Sequence, residues 1–317
     1  MLDALYPLFS IFSFLGFILV LIPLPWHLIQ TRIPGIFFYI MWSALACLNQ
    51  FVNSVVWAED SILRAPVWCD IWDSYNIMMG ASVGIPAATL CINRRLYQIA
   101  STNGSLSSNK AELRRSVLID GLLCVFFPLV YIALQFIVQA HRFDIYEQIG
   151  CYPALYNSIP LYFLSTIWPP LISLISFAYG GLALHSSSVL TRRTTLSDSL
   201  ASASITLPHY LRMLILATLS TLLTLSLGIF TIHSTATSTS TPIHPWRSLS
   251  TAPHIDSIPV LVWRSDPRLR VALEFTRWTV PVTAILFFVF SIGFAVEART
   301  SHHHLALNSA CTFLLRL

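Results

Sequence analysis

The chain has 317 residues, 55% of them hydrophobic and only 10% Asp, Glu, Lys or Arg, where a soluble domain carries about 25% charged residues. Mean hydropathy is +0.69, and the apolar residues fall in long blocks. These figures exclude a disordered chain, a disulfide-stapled secreted mini-protein and an ordinary cytosolic enzyme. So much apolar surface without a charged exterior requires lipid as its solvent.

A spanning helix needs about 20 consecutive residues without a charge. The charge-free stretches predict seven, over about 4–26, 34–57, 70–96, 116–139, 159–184, 209–233 and 274–297. The expected fold is an all-α membrane protein, a seven-transmembrane helix bundle over 1–299 with a short cytoplasmic tail at 300–317. Pro86, Pro128, the Pro169-Pro170 pair and Pro281 fall inside these segments. In lipid such prolines are tolerated as kinks, provided neighbouring helices satisfy the carbonyls they free. The sixth segment has no internal proline, only Gly228. The period-2 alternation of a membrane β-barrel is absent, which excludes that architecture.

Orientation follows from the basic residues. Alternate loops divide Lys and Arg into a set of 11, including Arg94, Arg95, Arg114, Arg115, Arg192 and Arg193, and a set of 7, five of them in the loop before the last span. The positive-inside rule places the larger set in the cytoplasm and the N-terminus outside. Most carboxylates, among them Asp70, Asp73, Asp144, Asp266 and Glu274, then fall on the outer side. Cys69 and Cys151 are the two cysteines on that oxidising side, which favours a bridge between them over two free thiols. The sequon at Asn103 falls in a cytoplasmic loop and is expected to stay unmodified. The Ser/Thr-rich tract at 234–251 reads as a flexible outer loop, and the His302–His304 run as solvated rather than metal-binding.

Several chemistries are missing. The single lysine, Lys110, lies in a loop, which excludes a retinal Schiff base. No zinc-protease, serine-hydrolase or nucleotide-binding motif occurs, and no paired intramembrane carboxylates mark an ion path. No enzyme, cofactor, metal or nucleic-acid site is expected.

The stretch Gly84-Ile85-Pro86-Ala87-Ala88-Thr89-Leu90-Cys91-Ile92-Asn93-Arg94-Arg95-Leu96-Tyr97-Gln98-Ile99 resembles the inner half of the third span in fungal mating-pheromone receptors of the a-factor (lipopeptide) type, class D G-protein-coupled receptors. Ile22-Pro23-Leu24-Pro25-Trp26-His27, Trp68-Cys69-Asp70-Ile71, Gly150-Cys151-Tyr152-Pro153, Pro208-His209-Tyr210-Leu211-Arg212-Met213 and Arg277-Trp278-Thr279-Val280-Pro281 carry the resemblance along nearly the whole chain, in order. The family usually has a long hydrophilic tail, whereas about twenty residues follow Glu297 here, and Leu249 stands where a second tryptophan is common.

The resemblance implies a multi-pass plasma-membrane receptor for a prenylated peptide pheromone, coupled to a heterotrimeric G protein, with membrane lipid and a second copy of the chain as further candidate partners. The outer candidates for ligand contact are Asp70, Trp72, Asp73, Glu274, Arg277 and Trp278, with Trp57 and Trp68 nearby. The acids suit a basic peptide and the indoles a lipid, although an interfacial aromatic belt and a Glu274–Arg277 ion pair between helices account for several of them equally. Arg94 and Arg95 end the third span where such receptors meet Gα, followed by Arg114, Arg115, Arg192 and Arg193. Binding of anionic lipid is the simpler role for the last four. A seven-span transporter or channel, or a receptor-like protein without signalling, is the alternative class.

Overall fold

The computed structural model describes residues 6–25, 27, 33–64, 68–69, 74–101, 110–139, 143–155, 158–191, 207–236 and 255–314. Asp70, Trp72, Asp73, the Asn103 sequon, Arg192, Arg193 and the Ser/Thr tract beyond Ala236 lie outside the described residues.

The elements in order are α1 (Tyr6–Leu21), α2 (Pro34–Val56), α3 (Ser74–Ser101) and α4 (Lys110–Gly121), which runs through a π-helical turn (Leu122–Phe126) into α5 (Phe127–Gln135). Strands β1 (Phe143–Tyr146) and β2 (Gly150–Tyr152) follow, then α6 (Ile159–Leu161), a second π-helical turn (Tyr162–Thr166) and α7 (Trp168–Thr191). The chain continues with α8 (Leu207–Ala236), β3 (Ile255–Ile258), α9 (Val260–Ser265) and α10 (Pro267–Leu314).

Five helical segments are long and apolar enough to cross a bilayer: Pro34–Val56, Asn76–Ser101, Arg114–Gln135, Tyr210–Ser234 and Pro267–Ser291. The pair Ile159–Thr166 and Trp168–Ser187, bent by 41°, makes a sixth. The shorter apolar helix α1 is the seventh, and the fold is a seven-helix membrane bundle. The first helix stops at Leu21, short of the expected 26, because Pro23 and Pro25 cannot continue its amide ladder. The last runs on to Leu314, so the His302–His304 run lies on helical backbone.

The burial pattern is that of a protein turned toward lipid. Large apolar side chains such as Phe163 (66% exposed), Leu118 and Val289 point outward. The interior is rich in small and polar residues, including Ser13, Ser43, Ser54, Asn93, Gln135 and Ser176. Lipid gives no hydrophobic drive to helix association, so close packing and interhelical hydrogen bonds hold the bundle. Helix α3 lies centrally, against α2, α5, α7 and α8. Gly80 and Gly84, one turn apart, make a groove on it that the Trp42 indole fills. A Cβ at either glycine would come within 2.7 Å of that ring.

Trp42 also resolves a backbone problem. Pro128 has no N–H for the carbonyl of Cys124 four residues earlier, and the π turn directs the Phe127 amide to Leu122 instead. The Trp42 Nε1–H donates to the Cys124 carbonyl at 2.8 Å, tying α2, α3 and the fourth span together. The same device joins the fourth and fifth spans. Pro169 strands the carbonyl of Ser165, which accepts the Tyr131 hydroxyl at 3.1 Å, and Gln135 Nε2 donates to the Leu164 carbonyl at 3.3 Å.

Trp42→Phe is expected to lower stability by about 1–3 kcal/mol, the cost of one stranded buried carbonyl. Pro128→Ala, which restores an amide, should shrink that loss. Thermal midpoints of the four purified forms in detergent measure the coupling, and equal losses in both backgrounds would refute the assignment.

Candidate functional site

One end of the bundle carries a folded lid. The turn after β1 holds Gln148 at φ 69° and Gly150 at φ 94°, both left-handed, and at Gly150 a Cβ would lie 2.6 Å from that of Asn53. Only glycine satisfies both conditions there. β1 pairs antiparallel with β2 and parallel with β3, so the loops before the fifth and seventh spans share one three-stranded sheet. No strand was expected from the sequence. Alternation along β1 sorts the faces: Phe143 and Ile145 pack with Trp57, Cys69 and Cys151, while Asp144, Tyr146 and Tyr152 border a cavity.

The lid is tied down at several points. Cys69 and Cys151 form a disulfide, with Cα atoms 5.9 Å apart and a sequence separation of 82. Glu147 accepts the Val260 amide at 2.8 Å through its carboxylate and the Trp263 indole N–H at 3.2 Å through its carbonyl. Arg264 donates to the Gln148 side-chain oxygen at 3.1 Å, and the Ser257 hydroxyl to the Ser61 carbonyl at 3.0 Å. Trp263 is fully buried in this seam. Burial pushes the Tyr152 hydroxyl up to about 12. Tyr146 is raised as well, by burial first and then by Asp144, Tyr152 and Asp256. Both therefore stay protonated and able to donate at any physiological pH.

Beneath the lid lies a cavity of about 840 Å³, within the range of roughly 300–1,000 Å³ usual for small-ligand sites. Asp144, Asp266 and Arg268 border it at the lid end. Asp266 also caps α10: its Oδ1 accepts the Arg268 and Leu269 amides at 2.9 and 3.4 Å ahead of Pro267 in the first turn. Deeper, the wall alternates apolar groups (Met78, Met79, Ile85, Leu161, Leu227, Val280) with uncharged polar ones (Asn49, Gln50, Tyr131, Ser165, Thr283). Among the described lining residues all charge is at the lid and none is on the deeper wall.

The sequence-predicted ligand residues divide. Glu274, Arg277 and Trp278 are off the cavity wall. Arg277 Nε meets Glu274 Oε2 at 3.2 Å within a single turn of α10, not between helices, and the guanidinium covers the Phe9 ring at 4.2 Å. Trp278 stands edge-on to Phe9 and Phe12. All three serve the α1–α10 contact. Trp57 is fully buried against the disulfide, and Trp68 donates to the Asn53 side-chain oxygen at 3.0 Å, so both support the lid. Asp144, Tyr146, Tyr152, Asp266 and Arg268 were not singled out as ligand residues from the sequence.

At the opposite end, Arg94 Nη2 donates to Asp120 Oδ1 at 2.7 Å, with the carboxylate side chain 2% exposed and the arginine 18%. Arg95 reaches Gln98 at 3.3 Å, and the Cys91 and Cys124 thiols lie 3.6 Å apart beside the pair. Arg114 and Arg115, on α4, are exposed. One turn of α3 thus sets Arg94 and Arg95 beside one buried carboxylate, and the first turns of the fourth span carry two further exposed arginines.

A profile of the pheromone A receptor family matches residues 8–312. The chain belongs to that family. It is 49% identical over 307 residues to the pheromone B alpha 3 receptor of Schizophyllum commune, covering 95% of this chain and 48% of that protein. It is 31% identical to pheromone receptor 1 of Mycosarcoma maydis, covering 94% and 82%. To the pheromone a factor receptor of Saccharomyces cerevisiae it is 27% identical over 173 residues, covering 54% and 36%. The chain spans about half the length of the first of these relatives. No solved structure matches it.

Two outcomes are expected for this pheromone-receptor chain. Cys69→Ser, Cys151→Ser and the double variant should lose stability equally, at most by about 4.5 kcal/mol for an 82-residue closure. Unequal melting of the three forms would show that one cysteine does more than form the bridge. Asp120→Ala should cost about 3–5 kcal/mol by stranding Arg94, and Arg94→Ala a similar amount. The exchanged pair Arg94→Asp/Asp120→Arg should recover part of either loss. Thermal midpoints and the monodisperse fraction in detergent decide it.

Proposed function

We propose that the chain is the receptor core of a G-protein-coupled pheromone receptor in the plasma membrane, with its lidded end outside and its arginine end in the cytoplasm. The ligand is a peptide with a C-terminal prenylated cysteine. The observation that carries this is the cavity: among the described residues, charge at the lid and none deeper, with a volume suited to one end of a peptide rather than its whole length. The prenyl group and its neighbouring amides enter the uncharged interior. The basic part of the peptide stays at the lid beside Asp144 and Asp266. Asp70, Trp72 and Asp73 remain proposed contacts, while Glu274, Arg277 and Trp278 support the wall through α1.

The opposite end receives the G protein. Arg94, Arg95, Arg114 and Arg115 present cationic donors to the C-terminal segment of Gα, with Arg192 and Arg193 as further proposed contacts. In the described structure Arg94 is committed to Asp120, so its release accompanies activation. The acidic lid and basic base match the orientation that the positive-inside rule favours. A ligand that binds the active arrangement better shifts the population toward it, by no more than its difference in affinity for the two states.

The test is a yeast reporter strain that expresses the chain and receives synthetic peptides with and without the prenyl group. The prenylated form should act at concentrations at least about a hundred-fold lower, a modest return for burying many methylenes. Asp144→Asn should weaken potency without lowering surface expression. Nucleotide exchange on a purified heterotrimer, stimulated by the same peptide, completes the reading. Solute or ion flux in liposomes without any exchange would replace it with a transporter.

A further inference from the structure

The fifth span is broken where it borders the cavity. Its two halves meet at 41° around Ile167, whose amide reaches back five residues to Tyr162 at 3.1 Å. Pro169 and Pro170 have no N–H for the carbonyls of Ser165 and Thr166. The Ser165 carbonyl is held by another helix: the Tyr131 hydroxyl lies 3.1 Å from it and 3.2 Å from the Ser165 Oγ. On the far side, Gly228 of α8 leaves room for Pro170, since a Cβ there would sit 2.8 Å from the proline Cβ. Tyr131, Ser165, Thr166, Pro169 and Gly228 all line the 840 Å³ cavity. The ligand space therefore includes both the joint and the hydroxyl that fixes it.

We propose that this joint is the receptor's ligand-operated hinge and that Tyr131 is its pin. The inference rests on the reading that the cavity holds the agonist. A ligand acceptor, such as a peptide or ester carbonyl, takes the Tyr131 hydroxyl. The Ser165 carbonyl then lacks a donor on a wall from which the ligand has displaced water, and the span changes its bend to recover one. Below the joint, Asn93 Nδ2 donates to the Ser176 carbonyl at 3.1 Å and to its hydroxyl at 3.0 Å. A swing of α7 thus reaches α3 one residue before Arg94. Tyr131 is a positioning residue for this motion.

The experiment compares Tyr131→Phe, Pro169→Ala and the double variant at matched surface level, scored for basal reporter signal, agonist response and agonist binding. Tyr131→Phe should raise basal signal about three- to ten-fold, the equilibrium shift one neutral hydrogen bond carries. Pro169→Ala, which returns an amide to Ser165, should lower the maximal response while binding persists. Adding Tyr131→Phe to that background should then change nothing further. A wild-type dose–response for Tyr131→Phe, or an equal effect of it in both backgrounds, overturns the hinge.

A second arm needs no agonist or G protein. Spin labels at Leu118→Cys and Leu184→Cys, both exposed positions, report the separation of the fourth and fifth spans in purified protein carrying Cys311→Ser, and the cysteines Cys47, Cys91 and Cys124 are buried. Tyr131→Phe should shift the distance distribution, and an unchanged distribution overturns the proposal. A shift here, in a receptor whose wild-type form answers no prenylated peptide, upholds the hinge and faults the functional reading instead.

Discussion

A backbone carbonyl freed inside lipid has no water to turn to, and this constraint shapes the middle of the bundle. Prolines at 128 and 169 each remove an amide from a spanning segment. In both places the replacement donor is a side chain from a neighbouring helix, Trp42 in one and Tyr131 in the other. These bonds do more than satisfy a polar atom. They fix how α2, α3, α5 and α7 approach one another, because each donor reaches its carbonyl from one direction only. Gly80 and Gly84 on α3 are small for the same reason: the indole that serves Cys124 has to cross them.

The lid obeys a different rule, because it lies outside the apolar slab. Its order comes from a sheet that joins two loops, a disulfide that anchors one of them at the start of the third span, and the buried Trp263 seam. Strand pairing between Phe143–Tyr146 and Ile255–Ile258 crosses more than a hundred residues of chain, so neither loop is ordered by its own sequence alone. The result is a lid built as one piece.

Much of the architecture was legible from the chain. Charge-free runs located seven helices, because charge in a span is costly enough to be rare. The Pro169-Pro170 pair marked the bend in the fifth span, whereas Pro86 and Pro281 lie within unbroken helices. The lid was not legible: Phe143-Asp144-Ile145-Tyr146 and Ile255-Asp256-Ser257-Ile258 are four residues each, too short for a strand period to stand out, and their partners are distant in sequence. The cavity wall was hidden for a related reason. Acids and tryptophans near the span ends draw the eye, yet Trp57, Trp68 and Trp278 pack against the protein itself, whereas the wall mixes small polar and aliphatic side chains from six spans, which no local pattern brings together. Arg94 was visible as a cation, but its partner Asp120 lies 26 residues on, and only the fold shows that the cation is already paired.

These features together limit where a ligand's binding energy can do work. A ligand moves an equilibrium only through contacts that differ between the two states. Contacts with a lid held by sheet, disulfide and buried tryptophan change little between states, and so contribute affinity rather than switching. Contacts deeper in the cavity meet backbone whose hydrogen bonding is incomplete without a partner helix. There the exchange of one acceptor for another alters the relative stability of two bends, and the cost falls in a medium where unsatisfied carbonyls are expensive. The same proline pair that weakens the fifth span as a helix therefore makes it the part of the wall most responsive to what occupies the cavity, while the intact third span beside it carries Asn93 and the paired Arg94 toward the other end.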